Sequence, residues 1–464
     1  MKCSSTGRAC LGYEPRLRWT DSVASRGKFS GKSFDVSTST GSDGVFPPVS
    51  SPQRKSTTDI LLYLTATKAP PNPQPSSNET VEFYMSYYDS HVCKDLVLED
   101  LPHRNSFRNL LDISRHQPML REIMIAISAL HLANLTNTKH LVGVQYFSQS
   151  RSIGSPYKDA LVAKSRALCL LADGLAKMST SNGDVLLATI MLFIMFEMLD
   201  SGTKEWRFHT EGARQLMEYL HGNMRAESVC LKDLRASLMS TCIAYNILGT
   251  TFTKSSIDCR DCINPSMVQD EDLANTCLSC PPPLLRIIRD VSQCSRREKS
   301  ERLSVRDADR LVSLTAAFDV LAWVSSLQRI SASFDIEKRL HVGMAYKSAV
   351  CIYVMRAVSP DASMSEPLEG WVSDILYHLS FIPPGDWFFK ATCWPSFIAG
   401  AETNNATQRE TIISRLEKGL MDLPWGYLAN AVRLLRNIWL QKDGGGSLDW
   451  LVSLKEAQTD WLIA

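Results

Sequence analysis

Three groups of cysteine and histidine residues have types and spacings that could hold a metal. Cys3 and Cys10 bound "CSSTGRAC", with six residues between them. Two thiolates supply only half of a tetrahedral zinc shell. Further on, Cys259 and Cys262 in "CRDC" are followed after fourteen residues by Cys277 and Cys280 in "CLSC". Two such knuckles carry the donor set of a structural zinc. The intervening "INPSMVQDEDLANT" lacks the strands and glycine turns of a zinc ribbon, and Pro281 to Pro283 launch a helix. Buried or loop thiols are therefore the favoured expectation, with zinc as the alternative. The third group, "HTE" (His209 to Glu211) upstream of a C-x-x-C, has the outline of a zinc deaminase site. That pattern needs a proline before the first cysteine, where Thr276 stands, and its surroundings here read as helical, which disfavours it.

No H-E-x-x-H, G-x-S-x-G, phosphate-binding glycine loop or dinucleotide fingerprint occurs in the chain. The expectation is a protein that is not an enzyme. His131, in "ALHLA", reads as a core histidine with its hydrogen bonds met. The aromatic run "DWFFKATCWP" reads as packing, with a small-molecule pocket as the other reading. Asp386, Lys390 and the charge-rich Arg296 to Arg310 read as solvated loop and helix face.

The elements that would position these groups are helical. At 464 residues the chain can bury a large core, and a net charge of +1 gives it no global pull toward nucleic acid or anionic membrane. Several of its 13 cysteines sit inside apolar helical runs, the pattern of reduced buried thiols rather than a disulfide framework. No apolar leader segment opens the chain. The most apolar run, Val185 to Leu199, is fifteen residues long and contains Glu197, short of the roughly twenty that a spanning helix needs. A reducing compartment and no membrane are expected.

Residues 20–79 are rich in Ser, Thr, Gly and Pro and bury too little apolar surface to offset chain entropy, so a disordered linker is expected there. The short apolar patch Ile60 to Ala66 interrupts it, as a segment to dock on the body or on a partner. From about Thr80 onward, apolar residues recur at helical spacing, with Pro118 and Ser155-Pro156 as helix entries. "NGDVLLATIMLFIMFEMLDSG" is apolar almost all round and reads as a core helix. "VRDADRLVSLTAAFDVLAWVSSLQ" reads as one helix. No alternating strands appear. The fold class is all-α: a multi-helix body over residues 80–464 preceded by a disordered N-terminal segment.

The stretch from Asp184 to Leu220 resembles the signature helix pair of the fungal-specific transcription factor domain, the regulatory region of fungal zinc binuclear cluster transcription factors. The resemblance lies in an apolar helix ending at Glu197, a Ser-Gly break, and then Trp206, His209, Gly212 and Ala213. "HQPMLREIMIAISALHLANL", "CPPPLLRIIRDVSQ" and "KATCWPSFIAGAET" are similar to three further segments of that family, the last through Trp394, Pro395, Gly400 and Ala401. Together they span about Thr80 to Trp439. The marked residues are expected to be structural.

This resemblance also bears on the first cysteine pair. In the family's DNA-binding module six cysteines hold two zinc ions, and the last three are spaced C-x-x-C-x(6)-C. "CSSTGRACLGYEPRLRW" resembles the end of that module, with Cys3 and Cys10 as its last two ligands and residues 1–19 as its remnant. Zinc is then the implied cofactor, with the other four ligands expected upstream of Met1, through a misplaced start codon or missed exon. The other explanation is a real truncation. Lys2, Arg8, Arg16 and Arg18 are what remains of the basic DNA-contacting surface. The implied protein is a nuclear regulator of RNA polymerase II genes. Its implied partners are DNA in a full-length form and the transcription machinery or a homologous regulator, and a homodimer is allowed. Many relatives serve secondary-metabolite gene clusters. The alternative is a helical corepressor or coactivator with no DNA binding of its own.

Overall fold

The computed structural model describes residues 78–100, 105–141, 155–179, 182–203, 205–223, 229–253, 272, 276–294, 304–328, 335–358, 366–445, 449–457 and 459–464. The chain divides into Met1–Arg54 and Lys55–Ala464. The first unit lies outside the described residues, and with it Cys3, Cys10, Lys2, Arg8, Arg16 and Arg18. The patch Ile60 to Ala66 also lies outside them.

Among the described residues the second unit is helical, its sole β feature an isolated antiparallel bridge between Thr203 and Trp461. Helix α1 (Asn78–Tyr87) runs into a π-helical turn at Tyr88–Val92 and buries Tyr84, Tyr87 and Tyr88. Helix α2 (Ser106–Ser114) is capped by Asn105, whose side chain accepts from Phe107 N and Arg108 N. Helices α3 (Pro118–Leu141) and α4 (Pro156–Ala176) pack along one another. The Tyr84 hydroxyl donates to Asp159 at 2.8 Å and ties α1 to α4.

Helix α5 (Gly183–Asp200) is the first hub: every residue from Leu186 to Leu199 is buried. A helix with no polar face must be jacketed on all sides. The jacket is α3, α4, α6 (Trp206–Asn223), α7 (Val229–Thr250) and α15 (Gly426–Asp443). Residues 118–137 of α3 are also long and apolar enough to cross a membrane, but 61% of that stretch is buried inside the body, the situation of a core helix.

The second hub is α11 (Ile336–Val358), with an unbroken buried run from Ser348 to Val354. Around it lie α8 (Pro282–Cys294), α9 (Val305–Ala317), α10 (Val320–Gln328), α12 (Glu366–Ser380) and α13 (Cys393–Glu402). Helix α14 (Ala406–Asp422) packs on α13 and α15, and α16 (Trp450–Glu456) follows. The packing of α7 on α8 and of α13 on α15 joins the two hubs into one apolar core.

The expected single helix over Val305 to Gln328 is in fact two helices, bent by 50°. Phe318 adopts an extended backbone, and Asp319 starts a new helix by accepting from Ala322 N at 2.9 Å. The Phe318 carbonyl freed by the break accepts from Lys347 Nζ at 2.9 Å. A short polar residue that competes for backbone donors won over the apolar periodicity.

Ile190 is fully buried at the centre of α5. Ile190→Ala is expected to lower unfolding free energy by about 2–5 kcal/mol, measured by chemical denaturation. A change below about 0.5 kcal/mol would show that α5 is not packed as described.

Candidate functional site

Two polar nodes stand out because each places a charge inside the apolar core. The first lies at the turn from α5 to α6. Glu197 is 2% exposed, one turn before the end of a helix with no other buried charge. Lys164 Nζ, from α4, lies 2.7 Å from its Oε1, and His209 Nε2, from α6, lies 3.6 Å from the same oxygen. The His209 ring stacks on Phe193 with centroids 4.9 Å apart. Burial pushes the Glu197 carboxyl up, but His209 and Lys164 together outweigh this and hold it below its usual range. The carboxylate is thereby kept ionised, and one residue pins three helices together.

The chain can turn there because of Gly202, which has φ +66°. Its N–H donates to the Glu197 carbonyl at 2.7 Å, and its own carbonyl accepts from Leu462 N at 2.8 Å. A Cβ at this position would sit 2.7 Å from both Leu462 O and Tyr427 Cβ. Trp206 follows, 2% exposed, and its indole N–H donates to the Asp460 carbonyl at 3.1 Å. Its ring lies flush on Gly249 of α7, where a Cβ would come within 2.2 Å. Gly212 and Ala213 are buried on the same helix. The structure thus brings Glu197, Trp206 and His209 to one turn.

The second node is at the end of α13. Trp394 is fully buried, stacked on Tyr346 (centroids 5.7 Å, 8° between planes) with Tyr353 at its edge. Pro395 occupies the first turn of α13, where a missing N–H costs nothing. Gly400 lets Leu435 approach: a Cβ would stand 2.9 Å from its methyl carbon. The Gly400 carbonyl accepts from Trp439 Nε1 at 2.8 Å. Two residues on, Glu402 is fully buried and accepts from Arg356 at 2.8 and 2.5 Å and from Trp450 Nε1 at 2.9 Å. Burial would raise the Glu402 carboxyl, and Arg356, with help from Trp450 and Lys442, holds it below its usual range instead.

The family profile described as "Fungal specific transcription factor domain" matches residues 83–463, which takes in both nodes. The chain belongs to that family. It is 29% identical over 430 residues to the acriflavine sensitivity control protein acr-2 of Neurospora crassa, an alignment covering 88% of this chain and 69% of that protein. No solved structure matches it.

Of the second cysteine group, the described residues of this fungal transcription factor domain hold one half. Cys259 and Cys262 lie outside the described residues. Cys277 and Cys280 are buried, and the Tyr245 hydroxyl stands 2.7 Å from Cys277 Sγ. Burial pushes both thiols above their ordinary range, Cys280 well above, with Tyr245 partly offsetting the rise at Cys277. As held here both are buried thiols, Cys277 beside the Tyr245 hydroxyl. Among the described residues no group of three or more His, Cys, Asp or Glu side chains is placed to hold a metal. The deaminase outline also dissolves: His209 faces Glu197, while Glu211 pairs with Arg214 at 2.7 Å.

His131 is a buried histidine with Tyr87 OH 3.0 Å from one ring nitrogen and Asp95 3.1 Å from the other. Asp386 and Lys390, expected on a solvated face, are tied down. Asp386 caps a 3-10 turn through Phe388 N and pairs with Lys338 at 2.6 Å. Lys390 Nζ donates to the Lys94 and Val97 carbonyls at 2.8 and 2.5 Å, and burial lowers its pKa. In the aromatic run, Phe388, Phe389 and Trp394 are buried but Trp387 is 51% exposed.

The Arg356–Glu402 pair was missed in the sequence, as was Lys164. The signal available was a lone charge in an apolar run: Arg356 in "YVMRAV" and Glu402 in "IAGAE". Which charges meet is set by tertiary packing.

A carboxylate held below its unfolded range adds stability at pH values above that range and loses it as pH falls through the folded value. Glu402→Gln is expected to cost about 3–5 kcal/mol at pH 7, because it strands Arg356. The gap to the unaltered protein should close as pH drops below about 4.3. Denaturation midpoints taken between neutral and acid pH check this, and a gap independent of pH would contradict the ionised pair.

Proposed function

We propose that this chain is the regulatory body of a nuclear fungal transcription regulator that reaches DNA through a zinc binuclear cluster, with Cys3 and Cys10 as the cluster's last two ligands. The observation that carries the reading is the family match across residues 83–463, which makes a fungal transcription regulator the coarse function. The finer statement rests on "CSSTGRACLGY" and the basic, Trp-ending "EPRLRW" ahead of that body. The four further thiolates come from residues N-terminal to this sequence, and zinc supplies the tetrahedral centres that fix the module's fold. Lys2, Arg8, Arg16 and Arg18 then add phosphate contacts, which carry salt dependence rather than base specificity. The two polar nodes hold the helical body in one arrangement from which output is controlled.

The relative's name ties it to acriflavine sensitivity. On that basis we place genes for handling a toxic small molecule, or for making one in a secondary-metabolite cluster, among the targets.

A chain extended upstream to the next in-frame cysteines is expected to bind zinc and retard a duplex in a gel shift. Affinity should fall steeply with salt, and Cys10→Ser should lose both zinc and binding. An extended chain that holds no zinc and retards no DNA would favour the second reading, a cofactor working through protein contacts alone. Deleting the gene is expected to alter growth on acriflavine at least several-fold in tolerated dose, and unchanged tolerance would remove that target class.

A further inference from the structure

Two histidines on adjacent helices meet ring to ring, away from both polar nodes. His341, in the second turn of α11, and His378, in the last turn of α12, bring their Nδ1 atoms to 2.9 Å. Two ring nitrogens at that distance cannot both present lone pairs, and they cannot both present protons. One Nδ1 donates and the other accepts, so this contact between the helices runs through a single proton.

The groups around the pair decide how many further protons it can take. His378 Nε2 lies 3.6 Å from the Asp374 carboxylate, one turn back on α12, and that carboxylate also accepts from the Ser348 hydroxyl of α11. The His341 ring stacks on Phe381, with centroids 4.0 Å apart and 6° between planes. Tyr377 stands edge-on to both His378 and Phe381, 5.2 Å from each. Glu337 lies one turn before His341 on α11. Lys338 is held between Asp335 and Asp386, at 3.2 and 2.6 Å, the latter capping the 3-10 turn Trp387–Thr392. Arg415 of α14 donates to the carbonyl of Leu379, the neighbour of His378, at 2.9 Å.

A first added proton fits this arrangement. It makes His378 an imidazolium whose Nδ1–H donates to His341 and whose Nε2–H faces Asp374. A second proton does not fit. It removes the lone pair between the rings and sets two cations in contact. Burial lowers the pKa of both rings, with Glu337 opposing the shift at His341. At His378, Asp374 opposes it and His341 adds to it.

We propose that His341 and His378 form a proton-operated clasp between α11 and α12, closed while at most one ring is charged and opened by the second proton. Opening frees the last turn of α12 and lifts Phe381 off the His341 ring, which enlarges an aromatic surface already exposed at Tyr377 and Phe381. A ring whose value in the closed state lies below the ordinary one of about 6.5 puts no penalty on closure above that pH. The penalty grows as pH falls below about 6.5 and is complete below the closed-state value. Each unit of difference multiplies the open fraction by about ten. The clasp does not rest on the function proposed above.

The full chain carries the test. Protection of the Leu379 to Ile382 amides against hydrogen exchange is expected to fall about tenfold between about pH 7.5 and about pH 5, with the amides of α5 unchanged. His341→Gln keeps a hydrogen-bonding side chain that cannot charge, and there the fall should vanish. Should that variant fail to fold, His378→Gln makes the same change from α12. Nitrogen NMR of the histidine rings should show the two titrating in separate steps, the lower at least about one unit below the ordinary value. No fall in protection, a fall shared equally by α5, an equal fall in the glutamine variants, or two rings that titrate together near the ordinary value would each overturn the clasp.

Discussion

The central constraint is the carboxylate of Glu197 inside a helix that is otherwise apolar on every side. An unpaired charge there would cost several kcal/mol, so Lys164 and His209 must both be present, and with them α4 and α6. Apolar burial alone would let α5 rotate or slide among near-equivalent packings, since its surface offers little to tell one face from another. A single buried charge with two fixed partners removes that freedom. The node adds little net stability, because desolvation offsets most of the pairing. What it supplies is register: α5 fits its jacket in one rotation.

The same device recurs in the other half of the molecule. Arg356 sits in the long hub α11 and Glu402 at the end of α13, and Trp450 of α16 closes the pair. Lys442 caps that helix end by donating to the Ala401 and Glu402 carbonyls at 2.8 Å each, and burial lowers its pKa to about 8. Each hub therefore carries an ionised node set where a helix ends and the chain must turn. Asn134 adds a neutral link, donating to the Leu199 carbonyl at 2.7 Å and the Pro424 carbonyl at 2.9 Å.

The fold class is legible in the sequence. Periodicity and the absence of alternating strands gave the all-α class, and the fully apolar run gave the central helix. The family resemblance singles out Trp206, His209, Trp394 and Gly400, and all four are buried. Their reasons were not legible. Trp206 matters because Gly249, far along the chain, is flat enough to receive it, and His209 because Glu197 and Phe193 face it across the turn. The bend at Phe318–Asp319 was hidden because apolar spacing continues through it, while the deciding bond is a local cap. Lys390 looked solvated because a lysine among aromatics gives no sign of the two carbonyls beneath it. The seat of residues 459–464 depends on partners more than two hundred residues away and leaves no periodic trace.

The position of the α5–α6 turn gives these observations a common direction. Gly202 is bonded at once to the carbonyl of Glu197, the residue that sets the register of α5, and to the buried Leu462. The turn cannot shift without disturbing both contacts, and a Cβ at Gly202 would stand 2.7 Å from Leu462 O and from Tyr427 Cβ. What meets at that turn is a core helix whose rotation is set by charge, a glycine in the left-handed region and the buried segment Trp461–Ala464.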